Sequence, residues 1–280
     1  MEKVCIVAIL KGEEPFLDEW LVYHRMIGTD HFFLYDDDFL FPLEKFLQPY
    51  SEFVTVVNWH GMDATMEGLM NQSKAYLHAV HHYAYQYDWV IFLDGDEFIV
   101  LRQHASVHEF LSGFDGNCSA VSLYWHVFGH NGYYEDPPGL ITASLTRRKF
   151  MPDKLGKTFN RPEAIVDIVS PHRCVLKYGK WFDADHQPFN IFHAGRTDTA
   201  NINHYYCRSF MNWMKRAIRG DVNFKNEHIP QEHLWRLTED ACLKKFVTTV
   251  AFDKNEFVDV FMLKFKEDIE SSIKNIRNSY

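Results

Sequence analysis

Residues 89–100 read WVIFLDGDEFIV, five consecutive apolar residues followed by Asp94, Asp96 and Glu97 around Gly95. An apolar run of this length predicts a strand buried on both faces. Three carboxylates at its end are then either a solvated turn or a place where the strand delivers negative charge to a ligand. Two aspartates one residue apart can face a single hard divalent cation, and the glycine permits a tight turn or a close ligand approach.

The flanking pattern favours the second reading. Val4 to Leu10 is another apolar run, followed by Pro15 and by Phe16, Leu17, Trp20, Leu21, His24 and Ile27 at helical spacing. His31 to Tyr35 repeats the strand signal and stops at Asp36, Asp37 and Asp38; residues 42–47 are helix-like and 53–57 give a third strand. Between 68 and 87, Leu69, Tyr76, Leu77, Val80, Tyr83, Ala84 and Tyr87 keep a period near 3.6, so a long amphipathic helix leads into Trp89. Strands alternating with helices predict an α/β fold, an open and mostly parallel sheet flanked by helices, with ligands beyond the carboxyl ends of the strands. The ionic stretches 11–14, 36–38 and 94–97 all fall there.

After about residue 119 the alternation weakens. Residues 119–128 read as a strand, 129–140 as a Gly/Pro/Asn-rich loop and 147–196 as irregular chain, before helices return over roughly 204–219, 231–249 and 256–276. The expected organisation is one domain over 1–222, with a nucleotide-binding half (1–118) and an acceptor and metal half (119–222), extended by helices over 223–280.

Charge narrows the function classes. The 280-residue chain carries a net charge of −9, with basic residues gathered in 147–157 and 208–219, which argues against general nucleic-acid binding and for local anion sites. Five cysteines lie far apart with no CxxC pair, so neither a zinc knuckle nor a disulfide framework is indicated. The opening EKVCIVAIL lacks the features of a secretory leader, and no apolar run approaches the ~20 residues that span a bilayer. These features predict a soluble cytoplasmic protein, or one peripheral at the inner membrane face.

The ordered series LKGEEPFLDEWLVYHRMIGTDHFFLYDDD, Gln72 with Ala75 and Tyr76 ahead of WVIFLDGDEF, then WHVFGHNGY and INHYYCRSFMNWMKRAIRG resembles glycosyltransferase family 92 and the family 2-like enzymes. The resemblance covers about residues 3–222. It implies a GT-A fold and sugar transfer from a nucleotide sugar, usually a UDP-sugar, with Mn²⁺ (or Mg²⁺). On this chain it implies that Asp94 contacts ribose or metal, that Asp96 binds the cation holding the diphosphate, and that Lys11, Glu13 and Asp36 line the base and ribose pocket. It also implies that His204 is a late-chain metal ligand, with His172 and His193 in reserve. The family usually has Asn where Gly12 stands, so any contact made by that side chain is missing here.

Other assignments rest on residue type and position. Gln72, near the start of the long helix, either reaches the nucleotide or is an exposed helix residue. Arg208, Lys215 and Arg219, spaced by seven and four, fall broadly on one helical face, where they either clamp diphosphate oxygens or form a solvated basic face that meets anionic lipid headgroups. An inverting transfer needs a base for the acceptor hydroxyl. Glu135 and Asp136, in GYYEDPPG, are the candidates, with Asp167 and Asp185 as rivals, and Trp125, Tyr133 and Tyr134 are candidates to stack on a sugar face.

The expected activity is therefore metal-dependent transfer of a hexose from a UDP-sugar to a glycan or glycolipid hydroxyl, with inversion. One alternative is a binding protein that keeps the fold without turnover. Another is a phosphatase using the same D-x-D pattern, against which Phe98 stands where Thr or Val usually follows.

Overall fold

The computed structural model describes residues 2–37, 41–60, 70–219, 238–249 and 255–280, with backbone only at 218, 219 and 249. In chain order the strands are β1 (Val4–Leu10), β2 (His31–Asp36), β3 (Val54–Asn58), β4 (Trp89–Phe92), β5 (Glu97–Leu101), β6 (Cys118–Val127), β7 (Arg147–Arg148), β8 (Gly156–Asn160), β9 (Ile165–Ser170), β10 (Arg173–Leu176), β11 (Lys180–Asp183), β12 (Ala200–His204) and β13 (Phe257–Val258). The helices are α1 (Glu14–Met26), α2 (Leu43–Phe46), α3 (Asn71–His82), α4 (Val107–Ser112), α5 (Ile141–Ser144), α6 (Phe210–Arg219), α7 (Glu239–Thr249) and α8 (Lys266–Asn278).

Among the described residues a nine-stranded sheet runs β3-β2-β1-β4-β8-β6-β12-β5, with β11 also paired to β6. The β3, β2, β1 and β4 block is parallel throughout, and β8 lies antiparallel between β4 and β6. This is the α/β architecture the strand and helix periods predict. Both faces are covered, which is why β1 is buried at every position and reads as a continuous apolar run. One face packs α1, α4, α5 and α8 around Trp20, Phe32, Phe98 and Ile269; the other packs α3 and the β9–β10 hairpin around Tyr76, Phe92, Ile168 and Cys174.

Helix α1 starts with Pro15 in its first turn, where no backbone donor is lost, and is closed by Gly28 at φ +101°. Its polar tips reach the outer edge of β5. Trp20 Nε1 donates to the Glu97 carbonyl at 2.9 Å, Tyr23 Oη to the Ile99 carbonyl at 2.6 Å, and the Ile99 amide to His24 Nε2 at 3.1 Å. These bonds satisfy an edge strand that would otherwise present unpaired groups. They also fix the backbone that immediately follows the D-x-D turn.

Three expectations change. The region 147–196 is not irregular: it contains β7 to β11, strands of two to six residues that are too short to register as a period. His204 ends a strand instead of opening a helix, and α6 begins only at Phe210. The last helix starts at Lys266, after a 3₁₀ turn over Phe261–Phe265. The expected helix over 231–249 is seen as α7 from Glu239; its residues 231–237 lie outside the described residues. All five cysteines are buried thiols. Among the described residues no helix is long and apolar enough to cross a membrane.

Candidate active site

The carboxyl ends of β1, β2 and β4 converge, and the chain leaves each in a polar turn. After β1, Gly12 takes φ +62°, a left-handed conformation open to glycine and, among other residues, most readily to asparagine. Asparagine is therefore the side chain this turn would accept with least strain. Gly95 stands where a Cβ would lie 3.1 Å from Leu10 Cδ2 and 3.3 Å from Glu13 Cγ. The turn after β4 therefore presses against the turn after β1.

The three carboxylates have separate environments. Asp94 accepts from Gln72 Nε2 at 2.7 Å through one oxygen and from Lys157 Nζ at 2.9 Å through the other, and its side chain keeps 32% of its surface exposed. Burial alone would raise its pKa, but Lys157 holds it below the usual carboxylate value. Asp96 is buried. Its Oδ2 accepts from Arg216 Nη1 at 2.7 Å and its Oδ1 lies 3.6 Å from His204 Nε2. Burial again opposes ionisation, yet Arg216 and then His204 keep the group well below the usual range. Glu97 is fully buried and burial raises its pKa well above normal, with Lys157 only partly opposing. Its Oε2 accepts the Asp94 amide at 2.9 Å, so it braces the turn from below.

Register explains the Asp96–His204 meeting. Strands β12 and β5 pair antiparallel with His204 opposite Glu97, one residue from Asp96, and the Tyr205 amide donates to the Asp96 carbonyl at 2.9 Å. The His204 ring packs on Trp125 with centroids 4.5 Å apart, and its Nδ1 is buried with no hydrogen-bond partner.

Arg208 is not on the helical face that its spacing suggests. It precedes α6 at φ +51°, a conformation that costs a non-glycine residue on the order of 1–3 kcal/mol. Its side chain is buried, paired with Glu13, 3.3 Å from the Gly95 carbonyl and stacked over Phe16 at 3.9 Å. The strained residue thereby ties the β1 turn, the D-x-D turn and α6 together. Lys215 is exposed and turned away from the carboxylates, and the side chain of Arg219 lies outside the described residues, as does Asp38.

Asp36 is buried and accepts the Leu43 amide at 3.0 Å, and Lys11 sits near Asp37, whose pKa burial raises. Gln72 is buried rather than exposed, and bonds Tyr76 Oη as well as Asp94. Glu135 is exposed. Asp136 accepts from Ser209 Oγ at 2.6 Å and Asn212 Nδ2 at 3.3 Å, while Ser209 Oγ in turn accepts the Asn212 amide, so Asp136 supports the N-cap of α6. Tyr134 stacks on Phe210 at 5.3 Å.

Two central residues escaped sequence reasoning. Lys157 is fully buried between Asp94 and Glu97, which together outweigh burial and raise its pKa. It was hidden in a stretch with no period. Heptad spacing from Arg208 points to Lys215, but the amphipathic pattern that buries Asn212, Trp213 and Ala217 puts Arg216 toward the core side and Lys215 outward.

Among the described residues no group of three His, Cys, Asp or Glu side chains is arranged to hold a cation by itself. The donor set instead suits a cation that arrives with phosphate. Mg²⁺-like ions are commonly held by one or two protein ligands with the remaining positions filled by substrate phosphates and water. Asp96 Oδ1 and His204 Nε2, 3.6 Å apart, would make such a pair.

The profile of Glycosyltransferase family 92 matches residues 3–244. A family 92 protein of Ricinus communis is 24% identical over 166 residues, which are 58% of this chain and 29% of that protein. One of Arabidopsis thaliana is 26% identical over 191 residues, 63% of this chain and 32% of that protein. The chain thus spans about a third of the length of the curated relatives it matches. Among solved structures, glucosyl-3-phosphoglycerate synthase from Mycobacterium tuberculosis, in complex with Mn²⁺, UDP and glucosyl-3-phosphoglycerate, is similar with TM-score 0.36 and 12% identity, covering 59% of this chain and 58% of that one. S. aureus TarS 1-349 in complex with UDP is similar with TM-score 0.36 and 14% identity, covering 58% and 47%.

Proposed function

Because this chain belongs to glycosyltransferase family 92, we propose that it transfers a hexose from a UDP-sugar to a glycan or glycolipid hydroxyl, with inversion and with Mn²⁺ or Mg²⁺. The observation that carries the reading is the facing pair Asp96 Oδ1 and His204 Nε2 at the end of the central strand, with Asp96 held ionised by Arg216. The cation supplies neutralisation of charge that grows on the departing diphosphate.

The chain's own residues divide the remaining work. Asp96 and His204 would hold the cation. Asp94 is kept anionic and aimed by Lys157 and Gln72, leaving its exposed edge for the ribose or the cation. Lys11, Glu13 and Asp36 border the base and ribose pocket, where Glu13 also anchors Arg208. Of the α6 cations, Arg216, bonded to Asp96, stands beside the expected diphosphate, whereas Lys215 faces outward. Glu135, exposed and outside the ion pairs, suits the base better than Asp136, whose two oxygens already serve the start of α6.

The test is titration calorimetry of UDP with Mn²⁺, followed by a UDP-release assay over a panel of UDP-hexoses. The proposal expects metal-dependent UDP affinity that Asp96→Ala abolishes. If Asp96→Ala binds UDP and Mn²⁺ as well as the parent, the site is elsewhere.

A further inference from the structure

Beside the carboxylates, on the face of the sheet that carries the β9–β10 hairpin, lies a cavity of about 370 Å³, within the range of small-molecule sites. It adjoins the proposed donor site at two points. Gly156 lines it, and the next residue, Lys157, holds Asp94; His172 lines it, and its ring contacts Trp125 at 5.0 Å, which in turn packs on His204.

The wall is aromatic and layered. Trp181 and Phe189 stack with centroids 4.6 Å apart and planes within 10°, and Phe189 and Tyr124 follow at 5.9 Å and 23°. The floor is polar, a relay in which Trp181 Nε1 donates to Ser122 Oγ at 2.7 Å and Ser122 shares a hydrogen bond with Thr158 at 2.8 Å. Flat rings beside hydroxyls suit a pyranose, which offers an apolar C–H face and a polar rim. The mouth has a different character: Leu155, Ile191 and Phe192 line it at 43%, 40% and 74% exposure. Clustered exposed apolar side chains at a cavity entrance mark an interaction site.

We infer that this cavity is the acceptor site, that it takes a pyranose ring against Trp181, Phe189 and Tyr124, and that its mouth takes an apolar aglycone, so that the acceptor is a glycolipid. The inference rests on the glycosyltransferase reading for its role as acceptor site, but not for binding itself. In the transfer the acceptor oxygen forms a bond to the anomeric carbon, the bond to the UDP oxygen breaks with its electron pair leaving on UDP, and the hydroxyl proton passes to the base.

Binding of methyl and octyl glycosides of glucose, galactose and mannose, below the micellar range, is measured by ligand-observed NMR on the full chain with UDP and Mn²⁺ present. At least one sugar is expected to bind, its octyl form about tenfold tighter than its methyl form, as burial of two or so methylenes provides. Phe192→Ser should remove the octyl preference and leave the methyl glycoside unchanged. Phe189→Ala should weaken both about tenfold, with UDP affinity unaltered in each variant. Should Phe189→Ala fail to fold, the highly exposed Phe192 still decides the matter. Equal binding of octyl and methyl forms, an octyl preference that survives Phe192→Ser, or UDP binding with no glycoside binding overturns the inference. Glycoside binding with no affinity for UDP would instead overturn the donor reading.

Discussion

Asp96 and Asp259 are both buried carboxylates set between two basic groups, and they do opposite things. Asp259 accepts from Arg102 Nη2 at 2.8 Å and Arg148 Nε at 2.9 Å, and each guanidinium is covered by a ring, Arg102 by Phe261 at 5.0 Å and Arg148 by Phe257 at 4.5 Å. Burial raises its pKa and the two arginines more than reverse that. This cluster is closed, and it fastens β5, β7 and the segment before α8 to one another. At Asp96 one partner is a histidine at 3.6 Å with an unspent ring nitrogen, and the neighbouring Asp94 is a third exposed. Charge burial alone therefore does not mark a site; incompletely satisfied partners beside an exposed carboxylate do.

The largest effect is expected from Asp96→Asn. Turnover should fall by about 10³-fold or more, since an electrostatic group acting on developing charge is removed. Stability should fall as well, by about 3 kcal/mol, because Asp96 is 3% exposed and Arg216 loses its partner charge, so it is the loss of turnover that marks the site. Steady-state kinetics and a thermal melt on one preparation separate the two readouts. A large loss of stability with retained activity would make Asp96 a second Asp259.

The converse substitution is Asp259→Ala. Removing one member of a closed buried pair leaves two arginines uncompensated and should cost about 3 kcal/mol. UDP and Mn²⁺ affinity should not move. Urea unfolding and calorimetry are the measurements, and a drop in UDP affinity at full folding would show the cluster reaching into the donor site.

The contrast between these two aspartates was only half legible in the chain. WVIFLDGDEFIV shows a buried strand ending in acids because period and charge are local properties. The parallel β1, β2 and β4 arrangement was readable for the same reason. Lys157, Arg216 and the β12 register were not, because each depends on pairing between segments 60 to 120 residues apart, and residues 147–196 carry strands too short to show a period. Arg208 was misplaced because helical spacing says nothing of a left-handed residue before the helix begins. Asp259 was invisible as a structural centre, since nothing near Phe257 in the sequence announces two arginines from elsewhere.

Acid should find the closed cluster first. His126 is buried and, with Arg148 and Arg102 nearby, its pKa falls to about 3; burial brings His24 to about 3 as well. Below pH ~6.5 the unfolded chain takes up protons that these folded rings refuse, so stability falls with pH down to the folded values. Each ring should cost about 2 kcal/mol between pH 6.5 and 4.5. Glu19 has the opposite sign. Its pKa is raised by burial, so its contribution is present below the ordinary Glu value and is lost as pH rises through the folded one. Denaturant titrations from pH 4.5 to 7 should show His126→Asn flattening the acid slope, and an unchanged slope would assign acid sensitivity elsewhere.

The smallest effect is expected at the β1 turn. An incompletely satisfied site should gain from an added polar group, whereas the closed cluster can only lose. Gly12 adopts φ +62°, where asparagine fits with little strain, whereas a β-branched residue should cost about 1–2 kcal/mol. Gly12→Asn should therefore leave the melting curve nearly unchanged. If the turn borders the nucleotide, one new hydrogen bond is worth about 0.5–1.5 kcal/mol, which is about three- to tenfold in UDP affinity. Gly12→Val should lower stability without that gain. Unchanged UDP affinity in a folded Gly12→Asn would remove the β1 turn from the nucleotide pocket while leaving Asp96 and His204 in place, confining the donor site to the ends of β4 and β12.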